Sequence, residues 1–242
     1  MKKILRAVLK IMLGLFLFVL LGLIALYIMY DQPLPNGTPG GAADAFAYRM
    51  LDRLNANAYR HTAFLQWSFR SGKHRYLWDK KEGKVRVEWD DFNVLLHLDK
   101  PQESVVFKDD MELGPEAKSK VVREATAMFN NDSFWLVAPY KVFDRGTTRQ
   151  LVALEDGSDA LLVTYSSGGT TPGDSYLWIL GDDGLPVGFK MWVKIIPIGG
   201  LEASWSNWKK MESGIMLPTS HQVGPLTLEM GEVRAFNHGA AN

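Results

Sequence analysis

The sequence predicts an α+β protein: an N-terminal transmembrane helix, then a curved antiparallel sheet, an incomplete β-barrel of about 11–12 strands covered by two helices. Three observations predict this fold class. Residues 11–30 form one uninterrupted apolar run, short segments of alternating apolar and polar residues fill most of the remaining chain, and two helical patterns interrupt those segments. Since strands and helices do not alternate regularly, we expect an antiparallel sheet.

The apolar run at residues 11–30 is long enough, as a helix, to cross the hydrocarbon core of a bilayer. Asp31 follows it, and four basic residues precede it: Lys2, Lys3, Arg6 and Lys10. Basic residues favour the cytoplasmic side of a membrane. The sequence therefore predicts a single-pass anchor in the cell's inner (cytoplasmic) membrane, with the C-terminal domain extracytoplasmic, in the periplasm.

A cleaved signal peptide is the alternative interpretation of this run. Signal peptides usually have an apolar core of about 7–15 residues that ends in small residues at the cleavage site. Here the run is longer and ends in Leu26, Tyr27, Ile28, Met29 and Tyr30. We therefore expect residues 1–30 to remain attached as a cytoplasmic basic tip and transmembrane anchor.

Composition excludes several classes of protein. The chain has 27 basic and 27 acidic residues, so the part after the four N-terminal basic residues is mildly acidic. A nucleic-acid partner is not expected, because phosphate binding needs an excess of clustered Lys and Arg. The absence of cysteine excludes disulfides, thiolate nucleophiles and cysteine-ligated metal sites. No cofactor is predicted.

Residues 31–41 read DQPLPNGTPGG and predict a linker, because proline and glycine disfavour both helix and sheet. Residues 42–242 form the predicted half-barrel domain. It begins with a helix at residues 42–57, in which Phe46, Met50 and Leu54 fall on one face. That apolar face predicts packing against a sheet.

Five alternating segments follow this helix. The pattern is clearest where Val85, Val87 and Trp89 alternate with Lys84, Arg86 and Glu88. A second helix is predicted after Pro115, which suits a first helical position, and it is expected to stop at residues 130–132. Residues 133–144 contain Pro139 and predict a loop pressed against the sheet. Seven further strands are predicted at residues 148–154, 160–166, 175–180, 187–195, 202–209, 215–223 and 226–236.

Three stretches resemble a known family. They are KVRVEW at residues 84–89, the hairpin DSYLWI to GLPV within residues 174–187, and WSNWK to SGIMLPT within residues 205–219. They resemble passages of the lipoprotein-carrier superfamily of bacterial envelopes, the LolA and LolB type, and of uncharacterised envelope proteins with that architecture. The resemblance implies helices that form a lid over an apolar cavity for acyl chains or lipoproteins. Unlike those relatives, this chain keeps a transmembrane helix, and none of their lid-locking residues can be matched here.

Eight aromatic residues are the candidate lining of such a cavity. They share the predicted inner face of the sheet: Trp67, Phe69, Tyr76, Trp78, Trp89, Tyr165, Tyr176 and Trp178. Apolar walls with a few polar groups suit lipid ligands. Ordinary core packing predicts the same periodicity, so the sequence leaves both interpretations open.

A second candidate surface is the apolar loop that contains Ile196, Ile198 and Leu201. If exposed, this loop would contact a membrane or a partner's groove. The alternative is a loop folded back onto the barrel.

No catalytic or metal motif accompanies these surfaces. The chain contains no G-x-S-x-G or H-E-x-x-H motif, and its five histidines are scattered, with no pair at helical i, i+4 spacing. We therefore expect a non-catalytic protein that binds a hydrophobic ligand, either a lipid acyl chain or a lipoprotein. The alternative is an interaction or sensor module that uses the same fold to bind another envelope protein.

Overall fold

The computed structural model describes residues 2–167 and 171–238. Residues 1, 168–170 and 239–242, which include the end of the predicted domain, lie outside the described residues. The described part of the chain contains four α-helices: α1 (Lys2–Tyr30), α2 (Gly41–Leu54), α3 (Ala56–His61) and α4 (Pro115–Val137).

One large antiparallel sheet has seven strands in the spatial order β17-β2-β3-β4-β5-β6-β7. Its strands are β2 (Phe64–Phe69), β3 (His74–Asp79), β4 (Lys84–Trp89), β5 (Phe92–His97), β6 (Val105–Lys108), β7 (Met111–Glu112) and β17 (Arg234–Phe236). Hairpins join β2 through β7 in chain order, so the sequence neighbours are also the spatial neighbours.

The other large sheet has eight antiparallel strands in the order β1-β8-β9-β10-β11-β12-β15-β16. Its strands are β1 (Thr38–Pro39), β8 (Thr147–Ala153), β9 (Asp159–Tyr165), β10 (Asp174–Leu180), β11 (Pro186–Trp192), β12 (Leu201–Ser204), β15 (Ser220–Val223) and β16 (Leu226–Glu229). The short strands β13 (Lys209–Lys210) and β14 (Met216–Leu217) pair with each other.

The two large sheets meet at Met230. Its carbonyl oxygen accepts a hydrogen bond from the backbone N–H of Ser68 in β2 (3.1 Å), and its own N–H donates to Thr219, just before β15 (3.0 Å). At the far edges, β1 and β7 lie in different sheets and do not pair with each other. The curled surface is therefore joined along one side and open along the other, and it does not close into a barrel.

The predicted α+β class is confirmed: an N-terminal apolar helix, large antiparallel sheets that do not close, and helices packed on them. The strands are divided between two sheets rather than forming one. A single sheet of fifteen strands would need to curl or split, because strand twist accumulates across a sheet.

The core lies between these sheets and the helices. In the seven-stranded sheet, one buried row runs across five strands through directly paired residues: Trp67, Tyr76, Val87, Val94 and Val106. Cross-strand rows of this kind stabilise a sheet because side chains on the same face pack on their neighbours. The alternation predicted for β4 is confirmed, since Val85, Val87 and Trp89 are buried.

The prediction that the second helix stops at residues 130–132 is wrong. Helix α4 continues to Val137, and a 3₁₀ turn, not a loop, follows at Ala138–Lys141. Asn and Asp usually favour turns by bonding their own backbone, but Asp132 bonds to the seven-stranded sheet instead. The helix ends before Pro139, which has no N–H to continue the helical hydrogen bonds.

The segment at residues 31–41, predicted to be a linker without helix or sheet, forms a strap across the outer face of the eight-stranded sheet. At one end the indole N–H of Trp192 in β11 donates to the backbone carbonyl of Gln32 (2.7 Å). At the other end the N–H of Gly37 donates to the side chain of Gln150 in β8 (3.1 Å), and Thr38–Pro39 pairs with that strand. Pro39 is tolerated because β1 is an edge strand.

Helix α1 projects away from the rest of the protein. Its stretch Leu9–Tyr30 is long and apolar enough to span a membrane, and none of the side chains described there is buried against the domain. Contact is confined to the C-terminal end, where the strap begins. The strap therefore gives the helix a fixed attachment to the sheet.

Candidate functional site

Helix α4 lies across both sheets and forms one wall of the interior. The ring centroid of Phe129 lies 5.2 Å from that of Trp78 on the seven-stranded sheet. Further along the helix, Phe134 lies 4.5 Å from Tyr176, and Trp135 lies 5.6 Å from Phe189, both on the eight-stranded sheet. The same helix therefore covers aromatic residues of both sheets.

A buried carboxylate fixes the middle of α4. Asp132 is 2% exposed, and its Oδ2 accepts hydrogen bonds from the Tyr76 hydroxyl (2.6 Å) and contacts His74 Nδ1 (2.7 Å). Its Oδ1 accepts from Asn131 Nδ2 (2.8 Å). A buried charge is stable only when it is paired and hydrogen-bonded. This network therefore determines where α4 sits on β3.

The eight predicted lining residues all belong to the main core or pack against it. Trp78 and Tyr165 are half-buried, and the other six are buried. Trp67 and Tyr76 stack at 4.6 Å and, with Trp78, surround Phe129.

On the eight-stranded sheet, Tyr165 and Tyr176 meet at Phe134, and Trp178 packs on Phe189. Trp89 stacks on Phe92, outside both groups. Phe69 is buried at the end of β2. The structure therefore brings six of the eight together under α4, in two groups. Whether they line a ligand cavity remains a prediction.

Five buried donors in this interior have no hydrogen-bond acceptor among the described residues. They are the indole N–H groups of Trp67, Trp78, Trp178 and Trp205 and the hydroxyl of Tyr165, and we call them the donor group. Most buried polar atoms in native proteins are paired, and each unpaired one costs about 1–3 kcal/mol. Four of the five belong to the predicted lining.

Burial keeps the tyrosine hydroxyls in the interior protonated. It raises the pKa of Tyr165 and of Tyr176 above the ordinary value for tyrosine. The pKa of Tyr76 is raised as well, first by burial and then by the neighbouring Asp132 charge. These groups therefore act as neutral hydrogen-bond donors across the physiological pH range.

His221 adds a neutral imidazole beside the donor group. It is completely buried, its ring lies 4.6 Å from Trp205, and its Nδ1 lies 3.0 Å from the Ser204 carbonyl oxygen. Burial lowers the pKa of His221 to about 4. Its Nε2 makes no hydrogen bond of standard geometry among the described residues.

A surface cleft of about 810 Å³ opens at the N-terminal end of α4, and we call it the α4 cleft. Leu113, Pro115, Lys118 and Val122 contribute to its walls. Val122 is also part of the main core. The cleft therefore reaches the inward face of α4 two turns before Phe129.

A second cleft, of about 780 Å³, lies where α1 joins the eight-stranded sheet, and we call it the anchor groove. Tyr30, Gln32, Ile198 and Leu201 contribute to its walls. Two of the three predicted loop residues are thus brought to one groove. The third, Ile196, is half-buried and packs against the main core.

Sequence reasoning missed several residues of this interior. The sequence pattern predicts a helix end at Asp132, although this residue lies seven residues after the buried Ala125 and four before the buried Leu136, on one helical face. A helix extended to Val137 would have identified it. No local feature of the sequence indicates that His221 is buried, because its burial depends on Trp135 and Trp205 from other parts of the chain.

Comparisons with known proteins assign no family. No protein-family profile and no curated protein matches the chain. Among solved structures, a DUF1329 family protein from Desulfovibrio piger is similar, with a TM-score of 0.44 and 12% sequence identity over 84% of this chain and 96% of that one. This similarity is too distant to carry a function, and the resemblance to the LolA and LolB type stays a prediction.

Proposed function

We propose that this protein is a membrane-anchored, extracytoplasmic binding protein for a hydrophobic ligand that carries hydrogen-bond acceptors, such as an acyl chain of a lipid or lipoprotein. The observation that carries the proposal is the donor group, which concentrates unpaired N–H and O–H groups within an aromatic interior. Binding sites for such ligands combine apolar walls with a few polar groups.

The chemistry of the donor group narrows the ligand class. An indole N–H can donate but cannot accept a hydrogen bond. A pure hydrocarbon would leave these donors unpaired, whereas an ester, carboxyl or amide oxygen would pair with them. The ligand is therefore amphipathic, with an apolar tail against the rings and acceptor oxygens near the indoles.

The α4 cleft offers a route to this interior. It lies between the N-terminal part of α4 and the segment that precedes it, and its apolar wall at Val122 continues to Ala125 and Phe129 on the same helical face. The Asp132 network holds the helix at its middle. Movement of the N-terminal half would widen the route without breaking that network.

The proposed compartment rests on the basic residues before α1, since such residues favour the cytoplasmic side. Protease added to spheroplasts of a bacterial host should digest the domain and leave a short membrane-embedded fragment. A domain that becomes accessible only after the membrane is permeabilised would reverse the proposed orientation.

Native mass spectrometry of the full chain, extracted in mild detergent, tests the ligand. We expect one acyl-containing molecule per protein that survives removal of the detergent. Trp78→Phe and Trp178→Phe should each lower occupancy, since one hydrogen bond contributes about 1–1.5 kcal/mol, roughly a tenfold change in affinity.

Trp89→Phe is the matched control, because Trp89 belongs to the same predicted set but is not in the donor group. Its ligand occupancy should equal that of the parent protein. An empty parent protein, or equal occupancy in all three variants, would contradict the proposal and favour ordinary core packing.

A second candidate function, docking of an envelope protein, is favoured by the open edge of the seven-stranded sheet. Leu95, Phe107 and Met111 are exposed on the three strands nearest this edge, β5, β6 and β7, and β7 is a two-residue edge strand. An empty interior together with a stable stoichiometric complex that Met111→Glu abolishes would support this function instead.

A further inference from the structure

The anchor groove is surrounded by exposed apolar side chains. Outside α1, Ile195 is the most exposed large hydrophobic residue among the described residues, at 73%. It lies in the loop between β11 and β12, which we call the β11–β12 loop (residues 193–200). Across the groove, Gly224 lines the wall, and Leu226, two residues later, is 63% exposed. Two hairpin connections thus present apolar tips beside the end of α1.

Hydrogen bonds fix the β11–β12 loop to the residues that follow α1. The N–H of Gly199 donates to the Asp31 carboxylate (2.7 Å), and the N–H of Gln32 donates to the Gly199 carbonyl (3.0 Å). The approach is so close that a Cβ on Gly199 would lie 2.6 Å from the Gln32 carbonyl oxygen. The loop therefore holds its position relative to Tyr30.

The charges and aromatic residues of this face suit a bilayer surface. Lys194 lies in the β11–β12 loop, and Glu202, an acidic residue that lines the groove, forms an ion pair with Lys190 (3.1 Å). Tyr27 and Tyr30 lie exposed on the last turn of α1, and Trp192 lies at the start of the loop. Tyr and Trp are enriched at membrane interfaces, and exposed apolar side chains beside basic ones are typical of segments that insert shallowly.

We propose that the β11–β12 loop and the start of β16 insert into the lipid bilayer that α1 spans, so that Ile195, Leu226 and the anchor helix make three points of contact. The proposal rests on the membrane anchor of the proposed function but not on its ligand. With three contacts the domain stands on the bilayer in one orientation, and the anchor groove faces the lipid.

The lack of native cysteine allows a direct test by single labels. Ile195→Cys and Leu226→Cys, labelled with a polarity-sensitive fluorophore, are reconstituted as full chains into vesicles of phosphatidylcholine and phosphatidylglycerol. Met111→Cys is the matched control, because Met111 is 69% exposed but lies at the open edge of the other sheet.

We expect blue-shifted emission at positions 195 and 226, and lipid-borne spin labels should quench it by about half or more, as shallow insertion at about 5–10 Å predicts. The label at position 111 should behave as in water. Carbonate extraction of the same vesicles reports whether α1 is embedded. Water-like emission at 195 and 226 in protein that resists extraction overturns the loop contact, whereas extraction of the whole chain overturns the anchor.

Discussion

Helix α4 is held by its two sheets in different ways. On the seven-stranded sheet, Asp132 makes directional hydrogen bonds with His74 and Tyr76. On the eight-stranded sheet, Phe134 and Trp135 pack against aromatic rings. The first contact depends on charge and geometry, and the second depends on volume. Hydrogen bonds therefore set the position of α4 on the seven-stranded sheet, whereas its contact with the eight-stranded sheet rests on ring packing.

Removing the carboxylate should have the largest effect. Asp132→Ala leaves the Tyr76 hydroxyl and His74 without their partner in a buried site, so it should lower the free energy of unfolding by about 3–5 kcal/mol. Urea denaturation of the full chain in detergent, followed by circular dichroism, measures the change. A loss below about 1 kcal/mol would show that the network does not position α4.

Truncating a ring on the other sheet should cost somewhat less. Phe134 is half-buried against Tyr176, so Phe134→Ala should lower stability by about 3 kcal/mol, near the lower limit for aromatic truncation. Phe134→Leu keeps most of the side-chain volume, so it should lose much less stability than Phe134→Ala. Equal losses in the two variants would contradict a contact based on volume.

Acidification should lower the free energy of unfolding through His221, which packs on Trp135 and Trp205. Its pKa in the folded state is about 4, below the unfolded value of about 6.5. Between these values the unfolded chain binds the proton and the folded one does not, so stability falls as pH drops from about 6.5 to 4, by up to about 3 kcal/mol.

His221→Gln cannot titrate in this range and isolates that contribution. Comparing unfolding free energies at pH 7 and near pH 4, the parent protein should lose more stability than the variant. The same loss in both proteins would place the pH dependence elsewhere.

The smallest effect should come from removing the Tyr76 hydroxyl, which donates a hydrogen bond to Asp132. Tyr76→Phe removes the hydroxyl but keeps the ring that stacks on Trp67, so the free energy of unfolding should fall by about 1–2 kcal/mol. Comparison with Asp132→Ala separates the hydrogen bond from the charge. A loss as large as that of Asp132→Ala would mean that the Tyr76 hydrogen bond alone, and not the charge of the carboxylate, accounts for the contribution of this network.

The sequence predicted local features better than contacts between distant segments. Alternation identified β2 through β5 and their buried face, because a strand's period is visible within six residues. It failed at residues 130–132, where the Asp132 side chain bonds His74 and Tyr76 of the distant strand β3 instead of its own backbone. It also failed for the strap, since nothing in a proline-rich segment indicates that Gln32 and Gly37 reach β11 and β8.

In the candidate site, too, contacts between distant segments could not be predicted from the sequence. Periodicity placed the eight aromatic residues on the inner face, but the donor group depends on which indoles lack an acceptor in three dimensions. The sequence does not indicate whether the indole N–H of Trp178 or of Trp208 has a hydrogen-bond acceptor. In the structure the N–H of Trp208 donates to the Pro186 carbonyl oxygen (2.8 Å), whereas that of Trp178 has no acceptor among the described residues.

The most direct test is the ¹⁵N–¹H spectrum of the tryptophan indoles, recorded on the protein as purified and again after delipidation. Resonances of Trp67, Trp78, Trp178 and Trp205 should shift when the ligand is removed, because their N–H groups lose an acceptor. Those of Trp192 and Trp208 should stay in place, since backbone carbonyls hold them. Identical spectra before and after delipidation would contradict a ligand bound beneath α4.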